Sequence, residues 1–320
     1  MYLKNEGVTQ LMKDIHIQTP VFRMDSINKI PNTSVYLKME CFQPVGSFKI
    51  RGVGHLCQKA LESGATHLVS SSGGNAGYAV AYAGRALGVK VTVVVPSTTP
   101  ENVRQKIKLL GASVEVRGCV WDEANEYALQ ISSDQDTKYV SPFDDPLLWE
   151  GHATMIDETI TQCEKPDAIV LSVGGGGLLC GVLEGLHRNS WGDIPVIAVE
   201  TEGAASYYES VKSGKLISLE SINTVATSLG AKKVSLKALQ WTQKHRIIPH
   251  LVSDAAAVRA CLNFVNDYRV LVEPACGASL SLIYDNPDVI QLYKSVLIIV
   301  CGGIGVDMEK LRQWEKELLT

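Results

Sequence analysis

The sequence lacks a basic excess, paired cysteines and long apolar runs, and each absence excludes a class of protein. Its 320 residues hold 30 lysines and arginines against 34 aspartates and glutamates, a net charge of −4, so nucleic acid is not an expected partner. None of the eight cysteines belongs to a C-x-x-C pair, which argues against zinc ribbons and thioredoxin-type redox sites. No stretch reaches the ~18 uninterrupted apolar residues of a membrane span, so no membrane partner is expected either.

Signals for export and for metal binding are missing as well. The first ten residues are polar and lack the apolar segment of a signal peptide. Several cysteines lie inside apolar runs, where a free thiol behaves as a small hydrophobe. These features predict a cytoplasmic protein with reduced thiols. The seven histidines show no metal-ligand spacing, so we interpret them as structural or surface residues.

The sequence does contain an alternation of strand-like and helix-like segments, which predicts an α/β fold with parallel, right-handed wound sheets. The predicted strands are 35–39, 67–70, 91–95, 113–116, 168–173, 195–199 and 296–300. The predicted helices are 75–87, 100–110, 121–131, 178–187, 235–244, 254–268, 274–283 and 308–319. In the second of these helices Thr99 is the predicted N-cap and Pro100 the first residue. Two wound units are expected to meet near residues 142–146.

Three predicted strands end in glycine-rich turns, at 70–77, 172–177 and 301–303. Ligands of wound sheets collect at the carboxyl ends of strands, and glycines let backbone N–H groups approach an anion beside a helix N-terminus. The four glycines 174–177 therefore indicate an anion cradle more than a flexible connection. A nucleotide-binding protein is an alternative without its fingerprint, because the pattern G-x-G-x-x-G that Gly174 and Gly176 begin meets Leu179.

One lysine stands among apolar neighbours: Lys49 lies between Phe48 and Ile50 and is bracketed by Gly46 and Gly52. A lysine is by default a solvated surface charge. One held among apolar groups has a lowered pKa and becomes a nucleophilic amine, which can form a Schiff base with an aldehyde. Together with an anion cradle, such an amine suggests an aldehyde that carries a phosphate, namely pyridoxal 5′-phosphate.

Several motifs in one order resemble those of the fold-type II pyridoxal-phosphate enzymes, and they are most similar to the serine/threonine dehydratases of the short, serine-dehydratase type. The lysine motif is Ser-Phe-Lys-Ile-Arg-Gly at 47–52, the asparagine loop is 71–77, and the phosphate loop is 174–177. Further matching phrases lie at 142–146, 149–152, 271–277 and 300–303.

The resemblance implies a tryptophan synthase β-like fold of two wound parallel-sheet domains. Residues 1–39 and 145–320 would form the large, cofactor-binding domain, and residues 40–144 the small one. A homodimer is implied as well. The implied reaction is the β-elimination of L-serine to pyruvate and ammonia, and of L-threonine to 2-oxobutanoate and ammonia.

The resemblance also assigns roles to residues. Lys49 would form the Schiff base with the cofactor and then remove the α-proton of the substrate. The other implied cofactor contacts are Phe48 on a face of the ring, Asn75 at the ring hydroxyl, Gly174, Gly175, Gly176 and Gly177 at the phosphate, and Cys301 at the ring nitrogen. The implied substrate contacts are Ser72, Gly73, Asn75 and Ala76.

Cys301 and one further candidate residue, Glu200, each have a simpler interpretation as well. Glu200, helped by Gly174 and the carbonyl of Ala204, resembles the ligand set of a monovalent cation such as K⁺, but it is equally a strand-end carboxylate in solvent. Without its motif, Cys301 is a buried thiol at a strand end. At a ring nitrogen, a thiol is a weak partner that leaves the nitrogen largely neutral, which suits prompt elimination.

The sequence also departs from the family's pattern in two places. Racemases of this group carry a serine acid/base where this chain has Gly73, which argues against racemase activity, and relatives usually carry polar residues where it has Ile304. Two other functions stay open. A β-replacement synthase of the same fold would need a nucleophile site that the sequence does not show. A catalytically weakened, regulatory dehydratase-like protein is disfavoured by Lys49, Asn75 and the four glycines.

Overall fold

The computed structural model describes residues 14–24, 30 and 33–319, and within them ten strands form two separate sheets. The strands are β1 (Val21–Arg23), β2 (Ser34–Lys38), β3 (His67–Ser70), β4 (Lys90–Val95), β5 (Ser113–Val116), β6 (Thr137–Tyr139), β7 (Ala168–Ser172), β8 (Val196–Thr201), β9 (Ile247–Val252) and β10 (Ser295–Ile299). The larger sheet has the order β1-β2-β10-β7-β8-β9 and the smaller one β5-β4-β3-β6. Neighbouring strands pair in parallel except β1 with β2, which confirms the predicted fold class.

Helices pack around both sheets. They are α1 (Lys49–Glu62), α2 (Asn75–Leu87), α3 (Glu101–Leu109), α4 (Trp121–Gln130), α5 (Pro146–Thr159), α6 (Gly177–Arg188), α7 (Ser206–Ser213), α8 (Leu236–Trp241), α9 (Asp254–Tyr268), α10 (Pro274–Asp285), α11 (Asp288–Gln291) and α12 (Met308–Leu318). β7 and β8 are buried at every position, as expected for parallel strands with both faces covered. Within the described ranges, no helix has the length and apolar character that crossing a membrane requires.

The predicted strands and helices are all present, but the start of α3 differs from the prediction. Pro100 has φ −57° and ψ 143°, so it stands in extended backbone at the N-cap and α3 begins at Glu101. The Thr99 N-cap was therefore wrong. The carbonyl of Pro100 accepts the first helical bonds, from Val103 and Arg104. Proline can occupy the cap because its missing N–H has no helical partner there in any case.

Two elements absent from the prediction show why local pattern was insufficient. β9 contains Pro249 and His250, which interrupt its apolar run, and it tolerates the proline because it is an edge strand. α5 starts at Pro146, inside the segment expected to be a junction. Its start is stabilised by Asp145, whose carboxylate accepts from the Leu147 N–H at 2.9 Å, with proline at the first helical position.

The two sheets draw their strands from different parts of the chain. The strands of the smaller sheet lie within 67–139, and those of the larger sheet within 21–38 and 168–299. The domain boundaries at 39/40 and 144/145 stay a prediction. The interpretation of residues 1–10 as lacking a signal peptide lies outside the described residues.

A buried ionic network anchors the start of α1. Arg51 donates to Glu40 through Nε and Nη2, at 2.7 and 2.8 Å, and to Glu158 on α5 through Nη1 and Nη2, at 2.7 Å each. Lys38 at the end of β2 also donates to Glu158, at 2.7 Å. Buried charges are tolerated only when they are paired in this way. The network therefore holds Lys49, the first residue of α1, in a defined position.

Candidate active site

A cavity lies where the carboxyl ends of β7 and β10 meet the first turns of α1 and α2. Parallel strands end at one edge of a sheet, so motifs far apart in sequence meet there. The lining includes every residue that the resemblance assigned to the cofactor: Phe48, Lys49, Asn75, Gly174, Gly175, Gly176, Gly177 and Cys301. Other lining residues were not predicted, among them Phe143, Ser228 and Glu273.

Lys49 presents its amine to this cavity. Nζ donates to the carbonyl oxygen of Pro142 at 2.6 Å and lies 5.2 Å from the centroid of the Phe48 ring. Burial lowers the pKa of Lys49 from 10.5 to about 8, against smaller opposing effects of Cys301 and Glu273. A substantial fraction of the amine is therefore neutral, and nucleophilic, at mildly alkaline pH.

The Phe48 ring packs against a buried histidine. The rings of Phe48 and His152 lie 4.9 Å apart, and Nδ1 of His152 accepts from the Gly52 N–H at 3.1 Å. Burial, with the charge of Lys49, keeps the pKa of His152 well below its ordinary value. The ring is thus neutral and supports Phe48 without adding charge to the cavity.

The glycine loop between β7 and α6 is shaped by a neighbouring aromatic ring. A Cβ on Gly175 would lie 2.2 Å from the Phe143 ring, and one on Gly177 would lie 2.8 Å from the Phe143 carbonyl oxygen. Gly176 has φ +92°, a left-handed conformation that favours glycine. Within the described ranges, the N–H groups of Gly174, Gly175 and Gly176 donate to no backbone carbonyl. At the start of a twelve-residue helix, this backbone can hold an anion.

Asn75, the first residue of α2, hydrogen-bonds to two residues from the C-terminal part of the chain. Its Nδ2 donates to Glu273 at 2.8 Å, and its Oδ1 accepts from the Ile304 N–H at 2.9 Å. Sequence reasoning assigned no role to Glu273. The only signal for it was its place in the phrase 271–277, which carried part of the resemblance.

Cys301 lies beyond the end of β10 with its thiol buried. A hydrogen bond with Cys276, together with burial, raises the pKa of Cys301 well above its ordinary value. The thiol is therefore neutral, and its place at the ring nitrogen of a cofactor stays a prediction.

The residues assigned to the substrate are only partly in the cavity. Asn75 lines it, whereas Ser72 and Gly73, on the loop before α2, and Ala76, the second residue of α2, lie outside the lining. A Cβ on Gly73 would lie 2.8 Å from both terminal atoms of the Thr99 side chain. A serine at position 73 therefore requires Thr99 to move. The substrate roles of Ser72, Gly73 and Ala76 stay a prediction.

Glu200 is buried at the carboxyl end of β8 and does not face solvent. Its carboxylate accepts from the N–H groups of Tyr207 and Tyr208, at 2.9 and 2.7 Å, and burial raises its pKa to about 8. Nearby in sequence, the buried Ser206 hydroxyl has no hydrogen-bond partner, and Ala204 is also buried. The part of the chain that the structure describes holds no cluster of three or more histidine, cysteine or carboxylate side chains suited to a metal.

Comparison with known proteins gives consistent matches along the chain. A family model described as pyridoxal-phosphate dependent enzyme matches residues 12–302. The L-serine dehydratase/L-threonine deaminase of Homo sapiens is 48% identical over 316 residues, covering 95% of this chain and 96% of that protein. The L-serine dehydratase of Dictyostelium discoideum is 44% identical over 323 residues, covering 95% and 92%.

Solved structures show the same likeness. A fungal L-serine ammonia-lyase from Rhizomucor miehei superposes with a TM-score of 0.91 at 38% identity, covering 96% of this chain and 100% of that one. A maize serine racemase superposes with a TM-score of 0.84 at 26% identity, covering 95% and 93%.

Proposed function

This chain belongs to the pyridoxal-phosphate-dependent enzyme family, and we propose that it is an ammonia-lyase for L-serine and L-threonine. The observation that carries the proposal is a partly buried amine, that of Lys49, in a cavity that the glycine backbone 174–177 also lines. The resemblance to L-serine dehydratases over 95% of the chain supplies the substrate class.

The residues of the cavity fit pyridoxal phosphate. The glycine N–H groups suit its phosphate, the Phe48 ring a face of its pyridine, and Lys49 its aldehyde. A Cβ at Gly175 or Gly177 would collide with Phe143, so the shape of the glycine loop depends on their absent side chains. When bound, the cofactor supplies an electron sink that stabilises negative charge at the substrate's α-carbon.

Lys49 is the acid/base group of the proposed reaction. In its neutral form the amine accepts the α-proton of the amino acid, and a pKa of about 8 places that form within reach of physiological pH. The neutral Cys301 thiol adds no negative charge beside the ring. Serine loses its hydroxyl as water, one water returns on hydrolysis, and the net products are pyruvate and ammonia; threonine gives 2-oxobutanoate and ammonia.

The loop before α2 is the proposed contact for the substrate's carboxylate. Ser72, Gly73 and Ala76 flank the N-terminus of this thirteen-residue helix, where backbone N–H groups and the helix dipole favour an anion. Gly73 offers no hydroxyl, so position 73 supplies no second acid/base.

The direct test is an assay of the purified, cofactor-loaded protein with four substrates. We expect pyruvate from L-serine and 2-oxobutanoate from L-threonine. We expect no cysteine from O-acetylserine with sulfide, and no cystathionine from serine with homocysteine. Replacement products from those mixtures would favour a β-replacement synthase. A yellow protein that yields no keto acid from either amino acid would favour the regulatory alternative.

The pH dependence of cofactor capture tests the environment of Lys49. Only the neutral amine attacks an aldehyde, so the capture rate should rise tenfold per pH unit and level off near pH 8, the pKa to which burial lowers Lys49. With a solvated lysine, the capture rate would keep rising until the pH approaches 10.5, the ordinary pKa of a lysine. Stopped-flow absorbance after mixing the cofactor-free protein with pyridoxal phosphate measures this rate. A rate still climbing at pH 10 would contradict the buried environment.

A monovalent cation, K⁺, is the further proposed ligand, held near Glu200 with Gly174 and Ala204. The buried Glu200 carboxyl group and the unpartnered Ser206 hydroxyl support this proposal. We expect K⁺ to raise the thermal midpoint by about 3 °C or more relative to tetramethylammonium. Glu200→Gln should remove that response, whereas Glu202→Gln at an exposed position should keep it. An equal response in both variants would exclude Glu200 as a ligand.

The oligomeric state and the cellular location are also proposed. The chain is proposed to be a homodimer, as the resemblance to the family implies, and light scattering of the purified protein measures this directly. Cytoplasmic location fits its eight free cysteines, five of them buried, because a reducing compartment keeps thiols unpaired.

A further inference from the structure

Glu273 is a buried carboxylate surrounded by donors at one edge of the cavity. Oε1 accepts from Asn75 Nδ2 at 2.8 Å, and Oε2 accepts from the Gly305 N–H at 3.1 Å. The Ser228 hydroxyl donates to it as well. Only 4% of the residue is exposed. Because every partner donates, the site is built for a carboxylate that accepts, although burial raises its pKa.

These contacts determine the orientation of the Asn75 carboxamide. Oδ1 accepts from the Ile304 N–H at 2.9 Å, while Nδ2 donates to Glu273. A flipped amide would place its oxygen against the Glu273 carboxylate and its NH₂ against the Ile304 N–H. Both contacts would then be mismatched, since a carboxylate has no proton to donate and an N–H cannot accept. Glu273 thus fixes the amide orientation, which side-chain shape alone leaves open.

The second N–H of Asn75 is the one left for a ligand. It is directed towards Ser228, at a longer Nδ2–Oγ distance of 3.3 Å. Both Asn75 and Ser228 line the cavity, so an oxygen of a bound molecule can compete for this proton. With the amide flipped, Asn75 would present an acceptor there instead.

The local backbone is shaped around the carboxylate. A Cβ on Gly303 would lie 2.0 Å from Cδ of Glu273, and Gly303 has φ +136°. The turn after β10 can therefore pass close to the carboxylate and still bring the Gly305 N–H to it. Asn75 starts a helix beside the smaller sheet, whereas Glu273 and Gly305 adjoin the larger one, so Glu273 also joins the two halves at the cavity.

We propose that Glu273 is a positioning residue that orients Asn75, so that its amide N–H and not its oxygen meets the ring oxygen of the bound cofactor. The inference rests on the proposed function, because it takes pyridoxal phosphate as the occupant. Loss of Glu273 then weakens donation to the ring oxygen, which changes the proton distribution of the bound cofactor and with it the absorption spectrum.

The test compares Glu273→Gln with Glu184→Gln, a half-buried carboxylate on α6 outside the cavity lining. In cofactor titrations followed by absorbance, Glu273→Gln should raise the dissociation constant about tenfold and shift intensity from the long-wavelength band to a shorter one. It should lower kcat about 10- to 100-fold and leave the KM for serine within about threefold. Glu184→Gln should match the wild type. An unchanged spectrum and dissociation constant in Glu273→Gln would overturn the proposal.

A double-mutant cycle separates positioning through Asn75 from an independent effect. If Glu273 acts through Asn75, Asn75→Ala with Glu273→Gln should be no worse than Asn75→Ala alone in both titration and kcat. Defects that multiply would overturn the proposal. If the glutamine variant does not fold, Glu273→Asp gives the same comparison, since it keeps the charge and shortens the reach to Asn75. A wild-type protein that binds no pyridoxal phosphate would refute the proposed function itself, whereas a normal wild type with unaffected Glu273 variants refutes only this inference.

Discussion

Lys49→Ala should abolish the absorbance of the bound cofactor's imine and lower serine turnover by at least about 10³-fold, the largest effect expected of any single substitution. The variant loses both the amine that bonds the aldehyde and the base that accepts the α-proton. Alanine at the first position of α1 is compatible with the helix, so the fold should persist. Absorbance spectra and a pyruvate assay measure the two losses.

Lys59→Ala is the matched control for this prediction. Lys59 lies on the same helix, its side chain is 44% exposed, and its Nζ pairs with Glu62 at 2.8 Å. Surface pairs contribute little, so spectrum and turnover should both be retained. Serine-dependent pyruvate formation that persists in Lys49→Ala would remove Lys49 from its assigned role and, with it, the proposed mechanism.

Gly175→Ala should weaken pyridoxal phosphate binding about 10- to 100-fold, because a methyl group must displace either the loop or the Phe143 ring. The ideal Cβ position is 2.2 Å from Cγ of Phe143, well inside contact distance. Overpacking of this kind costs about 1–3 kcal/mol. Displacement of the loop also moves N–H groups away from the anion. Absorbance titration of the cofactor-free variant measures the change in dissociation constant.

The structure provides an internal control for the glycine prediction. The obstacle to Gly175→Ala is the Phe143 side chain, whereas the obstacle to Gly177→Ala is the Phe143 carbonyl oxygen, at 2.8 Å. Phe143→Ala should therefore rescue Gly175→Ala, relative to Phe143→Ala alone, and should not rescue Gly177→Ala. Equal rescue of both, or of neither, would mean that the Phe143 ring is not the specific obstacle to a side chain at position 175.

Local sequence pattern was sufficient for the regular elements because their burial repeats over short distances. α2 and α9 have the predicted bounds, Asn75–Leu87 and Asp254–Tyr268. β9 and α5 escaped prediction because Pro249 and Pro146 normally signal turns, and only an edge position or a helix start makes them acceptable.

The candidate site could be predicted where chemistry is concentrated in short motifs. Lys49, Asn75 and the glycines 174–177 are conspicuous in the sequence, and parallel strands bring such motifs to one edge. Glu273 and Phe143 could not be predicted in the same way. Glu273 meets Asn75 across 198 positions, and Phe143 limits the glycine loop through a contact that no local pattern encodes.

By itself, the sequence determined the wound α/β fold and predicted Lys49 as the reactive amine and the glycines 174–177 as the anion cradle, because each depends on residues adjacent along the chain. The tertiary structure alone decided how those groups are tuned. Burial lowers the pKa of Lys49, the Phe143 ring leaves room only for glycine beside it, and Glu273 sets the direction of the Asn75 amide. These effects arise from desolvation and from contacts between distant segments, which exist only once the chain has folded.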